Sequence, residues 1–394
     1  VKENIATLSI ILLALNLILY KVSSRDFKFI ERKQLFLIIP FLIISVFSVF
    51  STNAKISLVH INHSLLFLIV PVIFSLIPKE MFSLEKLHLY FNTLKNLCLL
   101  IAFIYIISFF LNNPVWKFNI EFHNESPFRN YIYNDFKWFK IHPTYYTTIL
   151  IFCVAHAFNE VLEKQKYFQL LYVFAFLGIT FLLLTKLTIV LMVALLFYMF
   201  LFKSTLSSVY KGVGILASVL SLFILVQYTP GIKNRFVEVY KSINVKPKEL
   251  AFDSTNIRKA IFDCSTNLVK ENWVTGVGFE NLQAKLNECY AANYDSSFYE
   301  NHNYLTHNYY LYILISTGIL GFVFYLFYLA TIIKISLKSN LFLFNSFIVT
   351  ILIVCFIEDF FYRQYGVLYF NLILMCFINH IEYKKLSPNK ISTD

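Results

Sequence analysis

The sequence predicts an all-α integral membrane protein that crosses the bilayer about eleven or twelve times. Of its 394 residues, 58% are hydrophobic and only 14% are charged, and the mean hydropathy is +0.64. A soluble domain usually has about 25% charged residues. Nearly uncharged runs of roughly 17–25 residues recur along the chain, each long enough to cross the hydrocarbon as a helix. Because these runs are too long for barrel strands, helices are the expected elements.

The runs divide the chain into three parts. Residues 1–228 form the N-terminal transmembrane helices, 229–306 a large polar loop, and 307–394 the C-terminal transmembrane helices and tail. Because the chain starts directly against the first span, whether another helix precedes it stays open. The expected spans are about 4–20, 34–51, 56–77, 92–111, 144–160, 167–185, 187–202, 210–228, 307–333, 341–357 and 364–381.

The large loop is expected to be partly helical. Hydrophobic periodicity and turn residues indicate helices near 232–241, 255–272 and 279–290. Four of the six cysteines lie in apolar runs, where they are expected to pack as small apolar side chains. The other two, Cys264 and Cys289, lie in the loop, and the sequence leaves open whether they form a disulfide.

The distribution of cations predicts the orientation in the membrane. The odd-numbered connections and the C-terminal tail carry 17 of the 34 Lys and Arg residues, whereas the short even-numbered ones carry only Lys55, Lys186 and Arg363. The other 14 are Lys2 and the cations of two long loops, which translocate despite their charge. The positive-inside rule therefore places the odd connections and the tail in the cytoplasm, and the large loop outside. The net charge of +11 is spread over many connections, which argues against a nucleic-acid partner.

Ionisable side chains collect at the predicted outer ends of the spans. Because such groups are costly at membrane depth and usually line a cavity or pair with each other, they predict a hydrated site at the outer leaflet. The set comprises His142, Lys186, Arg258, His307, Glu358, Asp359 and Arg363.

Each of these residues also has a purely structural interpretation. His307 could donate to a loop carbonyl at a helix start, and His142 precedes Pro143, which suits a first helical turn. Lys186 could extend to lipid headgroups, and Arg258 could belong to a solvated helix face.

Two further features have alternatives of the same kind. Glu358 and Asp359 could form a local ion pair with Arg363 in the last hairpin. Gly276 and Gly278 could form an anion-binding nest or a plain turn.

Two stretches carry a family resemblance, TNIRKAIFDCSTNLVKENWVTGVGFENL and THNYYLYILISTGILGFVFYLF, spanning Asn256 to about Phe327. They resemble the O-antigen ligase family, with an Arg-bearing loop helix, a GVG-type turn and a His-Asn helix start before a Gly-x-x-Gly helix. HPTYY at 142–146 and the short turn at Lys186 extend the similarity. The resemblance implies a GT-C-like membrane glycosyltransferase with its active site facing the periplasm of the bacterial inner membrane.

The resemblance also implies roles for individual residues. Arg258 corresponds to the Arg that holds the diphosphate of an undecaprenyl-diphosphate-linked glycan donor, and His307, followed by Asn308, to the His that acts on the acceptor hydroxyl. Lys186 stands where the family usually has a Ser-Arg pair. Since Lys cannot form the bidentate fork that Arg makes with phosphate, that role could have moved to Arg129 or Arg363.

These residue types suit transfer of a glycan from a lipid diphosphate. An imidazole can take the hydroxyl proton, and one well-placed cation beside the leaving group can contribute about 3–4 kcal/mol. The sequence has no Asp-x-Asp motif, His/Cys ligand cluster or phosphate-binding Gly-rich Lys motif, so neither a metal nor a nucleotide cofactor is expected.

Three functions fit this pattern. The first is an O-antigen ligase in lipopolysaccharide biosynthesis, with the lipid A core as acceptor, and the second is a polysaccharide polymerase of the same family, with another glycan as acceptor. The third, of a different class, is a polysaccharide transporter or flippase. A carrier usually has polar or broken helices at the bilayer midplane, whereas these spans are apolar in the middle, which favours an enzyme.

Overall fold

The computed structural model describes residues 2–24, 32–49, 54–114, 127–137, 141–214, 216, 220, 230–300 and 302–386. Within these ranges the chain is helical, with two isolated β-bridges and no strand. Up to the large loop, the α-helices are α1 Lys2–Ser24, α2 Ile39–Val49, α3 Ala54–Ser64, α4 Leu66–Leu76, α5 Leu84–Asn112, α6 Pro127–Asn130, α7 Pro143–Lys164, α8 Leu170–Leu182 and α9 Lys186–Lys203.

The remaining helices include those of the large loop. They are α10 Pro230–Ser242, α11 Ser254–Asn272, α12 Leu282–Asn293, α13 Tyr309–Ser339, α14 Phe342–Cys355 and α15 Gln364–Leu386. The three predicted loop helices correspond to α10, α11 and α12. The third begins at Leu282 rather than near 279, because the preceding residues belong to the glycine turn described below.

The fold is that of an all-α polytopic membrane protein. Among the described residues, six helices are long and apolar enough to cross a bilayer: Lys55–Leu76, Leu84–Asn112, Pro143–Lys164, Lys186–Lys203, Tyr309–Ser339 and Gln364–Leu386. Four shorter apolar helices coincide with further predicted spans: Leu8–Ser23, Gln34–Val49, Tyr167–Leu182 and Phe342–Cys355. Most of the predicted span 210–228 lies outside the described residues, so the total of eleven stays a prediction.

The helices form two compact units. The first comprises Val1–His88 and Ser242–Asp394. In it, α15 packs on α4, and α13 packs on α2, α11 and α14. Buried aromatic rings fill the core, where Phe67 meets Phe361 edge to face at a centroid distance of 5.4 Å.

The second unit comprises Leu89–Lys241. Its central helix is α7, which contacts α8 and α9 and is 83% buried over its most apolar window, against 17% for α9. This helix begins directly after His142 with Pro143 in its first turn and ends at Gln165, which has left-handed backbone geometry.

A buried polar network inside the second unit was not foreseen from the sequence. Lys95 is 2% exposed and donates from Nζ to Asn92 at 2.9 Å and to Gln169 at 2.5 Å. The His156 ring also contacts Asn92, at 3.3 Å. Because a buried ammonium is stable only when it is hydrogen-bonded, these partners account for a lysine inside an apolar helix bundle.

Candidate active site

The segment that leads into α13 is held by one buried carboxylate. Asp359 Oδ1 accepts hydrogen bonds from the Thr306 hydroxyl at 2.6 Å and from the Asn308 amide at 3.2 Å. Its Oδ2 accepts one from the His307 amide at 2.8 Å. Burial raises the pKa of the Asp359 carboxyl above its ordinary value, and the hydrogen bonds from Thr306 and His307 act in the opposite direction. Asp359 therefore fixes the backbone on which the candidate base lies.

His307 and Asn308 have separate local roles at the head of α13. Asn308 is the N-cap residue, and its side chain accepts from the amides of Tyr310 at 3.0 Å and Leu311 at 3.1 Å. The helix thus begins at Tyr309, and the prediction that His307 opens it is wrong by two residues. His307 precedes the cap with a φ of +45°, a geometry that is uncommon for a residue other than glycine.

Glu358 brings together the two residues expected to carry the chemistry. One oxygen, Oε1, accepts from Arg258 Nη2 at 2.8 Å, and the other, Oε2, lies 3.5 Å from His307 Nδ1. The Glu358 side chain is 9% exposed, whereas those of Arg258 and His307 are 42% and 31% exposed. Since His307 Nδ1 is itself buried, the exposed part of that ring consists of its other atoms. This contact differs from the local ion pair with Arg363 considered above. The residue that donates to Glu358 here is Arg258, which lies 100 positions earlier in the chain.

Arg258 is presented by a well-capped helix. Asp253 caps α11 by accepting from the amides of Thr255 and Asn256, and the Asn256 side chain accepts in return from the Asp253 amide. Of the five N–H donors of the Arg258 guanidinium, only Nη2 makes a hydrogen bond within the described part of the chain. The remaining donors, on a side chain that is 42% exposed, can bind an anion.

The disulfide left open by the sequence is present. Cys264 of α11 is bonded to Cys289 of α12, with a Cα–Cα distance of 5.8 Å and 25 positions between them. Closing a loop of this length stabilises the folded state by about 3 kcal/mol. The link fixes the helix that carries Arg258 within the loop.

The glycines of the GVG turn have a steric role. A Cβ on Gly276 would lie 2.6 Å from the Gly318 nitrogen, and a Cβ on Gly318 would lie 2.2 Å from the Val274 carbonyl oxygen. The turn therefore packs backbone to backbone against α13, which is kinked at Gly318 (φ +64°, ψ −167°).

The amides of the turn are engaged by this packing. Gly276 N donates to Asn272 O, Val277 N to Ile315 O and Gly278 N to Ser316 O, at 2.8–3.0 Å. This arrangement corresponds to the plain-turn alternative for Gly276 and Gly278 rather than to an anion-binding nest.

A histidine that the sequence did not single out supports this region. His60 of α3 is 8% exposed, and its Nδ1 lies 3.0 Å from the Tyr312 hydroxyl. Its ring also packs against that of Phe279, which follows the GVG turn, with the rings tilted and their centroids 5.6 Å apart. The one sequence signal that could have identified His60 is a polar residue within an apolar predicted span.

Lys186 belongs to the second unit, where it is the first residue of α9. Its Nζ lies 3.2 Å from Glu238 Oε1 of α10, with side-chain exposures of 30% and 10%. Arg129 lies at the same turn and donates from Nη1 to the carbonyls of Leu183 at 2.9 Å and Leu184 at 3.3 Å. Two cations therefore lie at this turn, and the pairing of Lys186 with Glu238 was not predicted from the sequence.

The two other supporting candidates lie at helix starts. His142 precedes α7 and meets the rings of Tyr133 and Tyr145 edge to face, at 5.3 and 5.7 Å. Arg363 is exposed, and its carbonyl accepts from Gly366 N at 3.0 Å at the start of α15. Of the predicted site residues, the structure joins Arg258, His307 and Asn308 through the neighbours Glu358 and Asp359. Lys186 and His142 are described within the other unit.

These observations define a polytopic all-α membrane protein in which an arginine from the large loop and a histidine at a helix head share one acidic partner. A family model described as O-Antigen ligase matches residues 171–326. The matched stretch contains Lys186, Arg258, the GVG turn and His307, and the match supports an assignment to the O-antigen ligase family. It also supports an enzyme of the ligase and polymerase type. A comparison with curated proteins found no match.

Proposed function

We propose that this protein is an O-antigen ligase-like glycosyltransferase of the bacterial inner membrane. It transfers a glycan from undecaprenyl diphosphate to a hydroxyl of the lipid A core at the periplasmic face. The observation that carries the proposal is the shared contact of Glu358 with Arg258 and His307. It supports a site where a group that binds an anion and a group that takes a proton lie side by side.

The reaction is a direct displacement at the anomeric carbon of the donor sugar. The acceptor oxygen bonds to that carbon while the bond from the carbon to the diphosphate oxygen breaks. The bonding electrons leave with the diphosphate, whose growing charge Arg258 stabilises through several N–H donors. The hydroxyl proton passes to His307 Nε2 and then to solvent.

Lys186 is proposed as the second cation of the diphosphate site. It has the charge but not the fork of an arginine, and its contact with Glu238 has to loosen when the donor binds. Arg129 at the same turn can add positive potential there. His142, Arg363, Gly276 and Gly278 are proposed to support the site rather than to take part in bond making.

The periplasmic orientation has independent support from the loop. Disulfides persist in oxidising compartments such as the periplasm and are rare in the cytosol. The bond between Cys264 and Cys289 therefore favours the loop, and Arg258 with it, on the non-cytoplasmic side.

Replacing the proposed base tests the function. His307→Ala should abolish attachment of surface polysaccharide, because it removes the imidazole proposed to take the hydroxyl proton, while the variant still inserts in the membrane. His302→Ala is the matched control, since this exposed histidine lies in the same loop and contacts Tyr304 edge to face. Normal polysaccharide in His307→Ala would refute the proposal.

The glycan that accumulates in His307→Ala separates the candidate functions. Long chains left on the lipid carrier indicate a ligase. Surface lipid carrying single repeat units indicates the polymerase, which differs only in its acceptor. Lipid-linked units retained on the cytoplasmic side would indicate a flippase instead.

A further inference from the structure

We infer that Glu358 is a positioning residue that couples donor binding at Arg258 to proton transfer at His307. The inference rests on the proposed function, because it assigns the diphosphate to Arg258 and the hydroxyl proton to His307. It adds an order of events, in which the base becomes fully oriented only after the donor has bound.

Such coupling requires Arg258 and His307 to compete for the carboxylate of Glu358, and both residues contact it. Glu358 is nearly buried at 9% exposed, and its two oxygens face different groups. The Arg258 contact at 2.8 Å is a charge-assisted hydrogen bond. The His307 contact at 3.5 Å is longer than a good hydrogen bond. In this state the carboxylate therefore interacts more strongly with the arginine than with the histidine.

A diphosphate would reverse that preference. It presents several anionic oxygens to the exposed side of Arg258, and a bidentate phosphate contact competes with the single bond from Nη2 to Glu358. As the guanidinium turns toward the diphosphate, the carboxylate is left beside His307 Nδ1. A nearly buried carboxylate that gives up a charge-assisted hydrogen bond gains from a replacement, so closing the 3.5 Å gap to His307 becomes favourable.

The closed contact would prepare His307 for its task. When Nδ1 donates to Glu358, the tautomer is fixed and the lone pair of Nε2 is the one that faces outward. The carboxylate also stabilises the imidazolium that forms when the acceptor hydroxyl gives its proton to Nε2. Glu358 itself gains no proton. After the products leave, the proton passes from Nε2 to solvent and Arg258 returns to Glu358.

A binding experiment distinguishes the proposed coupling from an ion pair between Arg258 and Glu358 that has only a structural role. Wild-type protein and its variants in lipid nanodiscs are titrated with undecaprenyl diphosphate. Glu358→Gln removes the anion that competes for Arg258, so we expect binding several-fold tighter than wild type. Glu288→Gln is the control, because this carboxylate of the large loop is 65% exposed and pairs with Lys285 three positions before it.

A transfer experiment then measures the rate. With lipid-linked glycan and lipid A core extracted from the host strain, Glu358→Gln should lower kcat about tenfold or more. Glu358→Asp keeps the negative charge, so it should retain more of the wild-type kcat than Glu358→Gln does. This variant also serves if Glu358→Gln does not insert.

The outcomes distinguish the inference from the function beneath it. Weaker or unchanged binding of undecaprenyl diphosphate by Glu358→Gln, or a kcat of Glu358→Asp as low as that of Glu358→Gln, would overturn the coupling while leaving the proposed transfer intact. Equal binding by Arg258→Ala and wild type would instead remove the diphosphate assignment on which both depend.

Discussion

At the scale of single residues, the two proposed diphosphate cations differ in what surrounds them. Arg258 is half exposed and has several N–H donors facing outward, with one acidic contact at 2.8 Å. Lys186 is a point charge 3.2 Å from Glu238. Since a planar fork holds a phosphate in one orientation and an ammonium does not, the main orienting role belongs to Arg258.

Replacing that fork by a point charge tests this assignment. Arg258→Lys should lose most transfer activity, roughly tenfold or more, because the diphosphate contact is no longer bidentate. The measurement is in vitro transfer at equal amounts of membrane-inserted protein. Lys259→Ala is the control, since this neighbour pairs with Asp263 one turn along the same helix. Full activity in Arg258→Lys would contradict the bidentate role.

Asp359 makes a second prediction at this scale. In Asp359→Asn the amide nitrogen cannot accept, so the buried His307 amide or the Thr306 hydroxyl loses its partner. We expect a loss of about 1–3 kcal/mol in the free energy of unfolding, seen as a lower melting temperature of the purified protein. As a control, Asp295→Asn, at an exposed carboxylate of the large loop, should leave the melting temperature unchanged. Equal melting of Asp359→Asn and wild type would show that the anchor is dispensable.

At the scale of elements, hydrophobic patterning predicted where the helices lie, but it did not predict which side chains pair between them. The three loop helices and ten of the predicted spans coincide with helices, since length and periodicity are local properties of the chain. The pairing of Glu358 with Arg258 joins positions 100 apart, and only the fold decides which outer cation meets that carboxylate. The kink at Gly318 could not be predicted from the sequence for the same reason. The backbone that packs against Gly318 belongs to residues 273–278, about 40 positions earlier.

That kink gives a prediction for the packing of two elements. Gly318→Ala should destabilise the protein, since this backbone geometry alone costs a non-glycine residue about 1–3 kcal/mol and the new Cβ would overlap Val274. Thermal melting and the yield of inserted protein measure the effect. Gly178→Ala is the matched control in α8, where nothing lies within 4 Å of an added Cβ, and it should be neutral or stabilising by about 0.5–1 kcal/mol. If both variants melt alike, close backbone packing of the GVG turn on α13 is not needed.

At the scale of the whole molecule, the proposed chemistry depends on sidedness. In the proposed reaction the glycan donor and acceptor meet at the periplasmic face, which requires the loop bearing Arg258, the turn bearing Lys186 and the head of α13 to face that compartment. The cation distribution predicts this orientation, and the disulfide of the loop favours it independently. Neither argument uses the resemblance to the ligase family, so together they are a separate support for the reaction.

Cysteine labelling measures sidedness directly. The native background is suited to it, because Cys98, Cys153, Cys355 and Cys376 are buried and the two loop cysteines are bonded to each other. Lys259→Cys and Lys186→Cys should react with a membrane-impermeant maleimide in intact spheroplasts, whereas Lys338→Cys, exposed on a predicted cytoplasmic connection, should react only after permeabilisation. Reaction of Lys338→Cys before permeabilisation, or protection of Lys259→Cys until permeabilisation, would invert the topology. In that case Arg258 could not meet a periplasmic donor, and the proposed transfer would have to be abandoned.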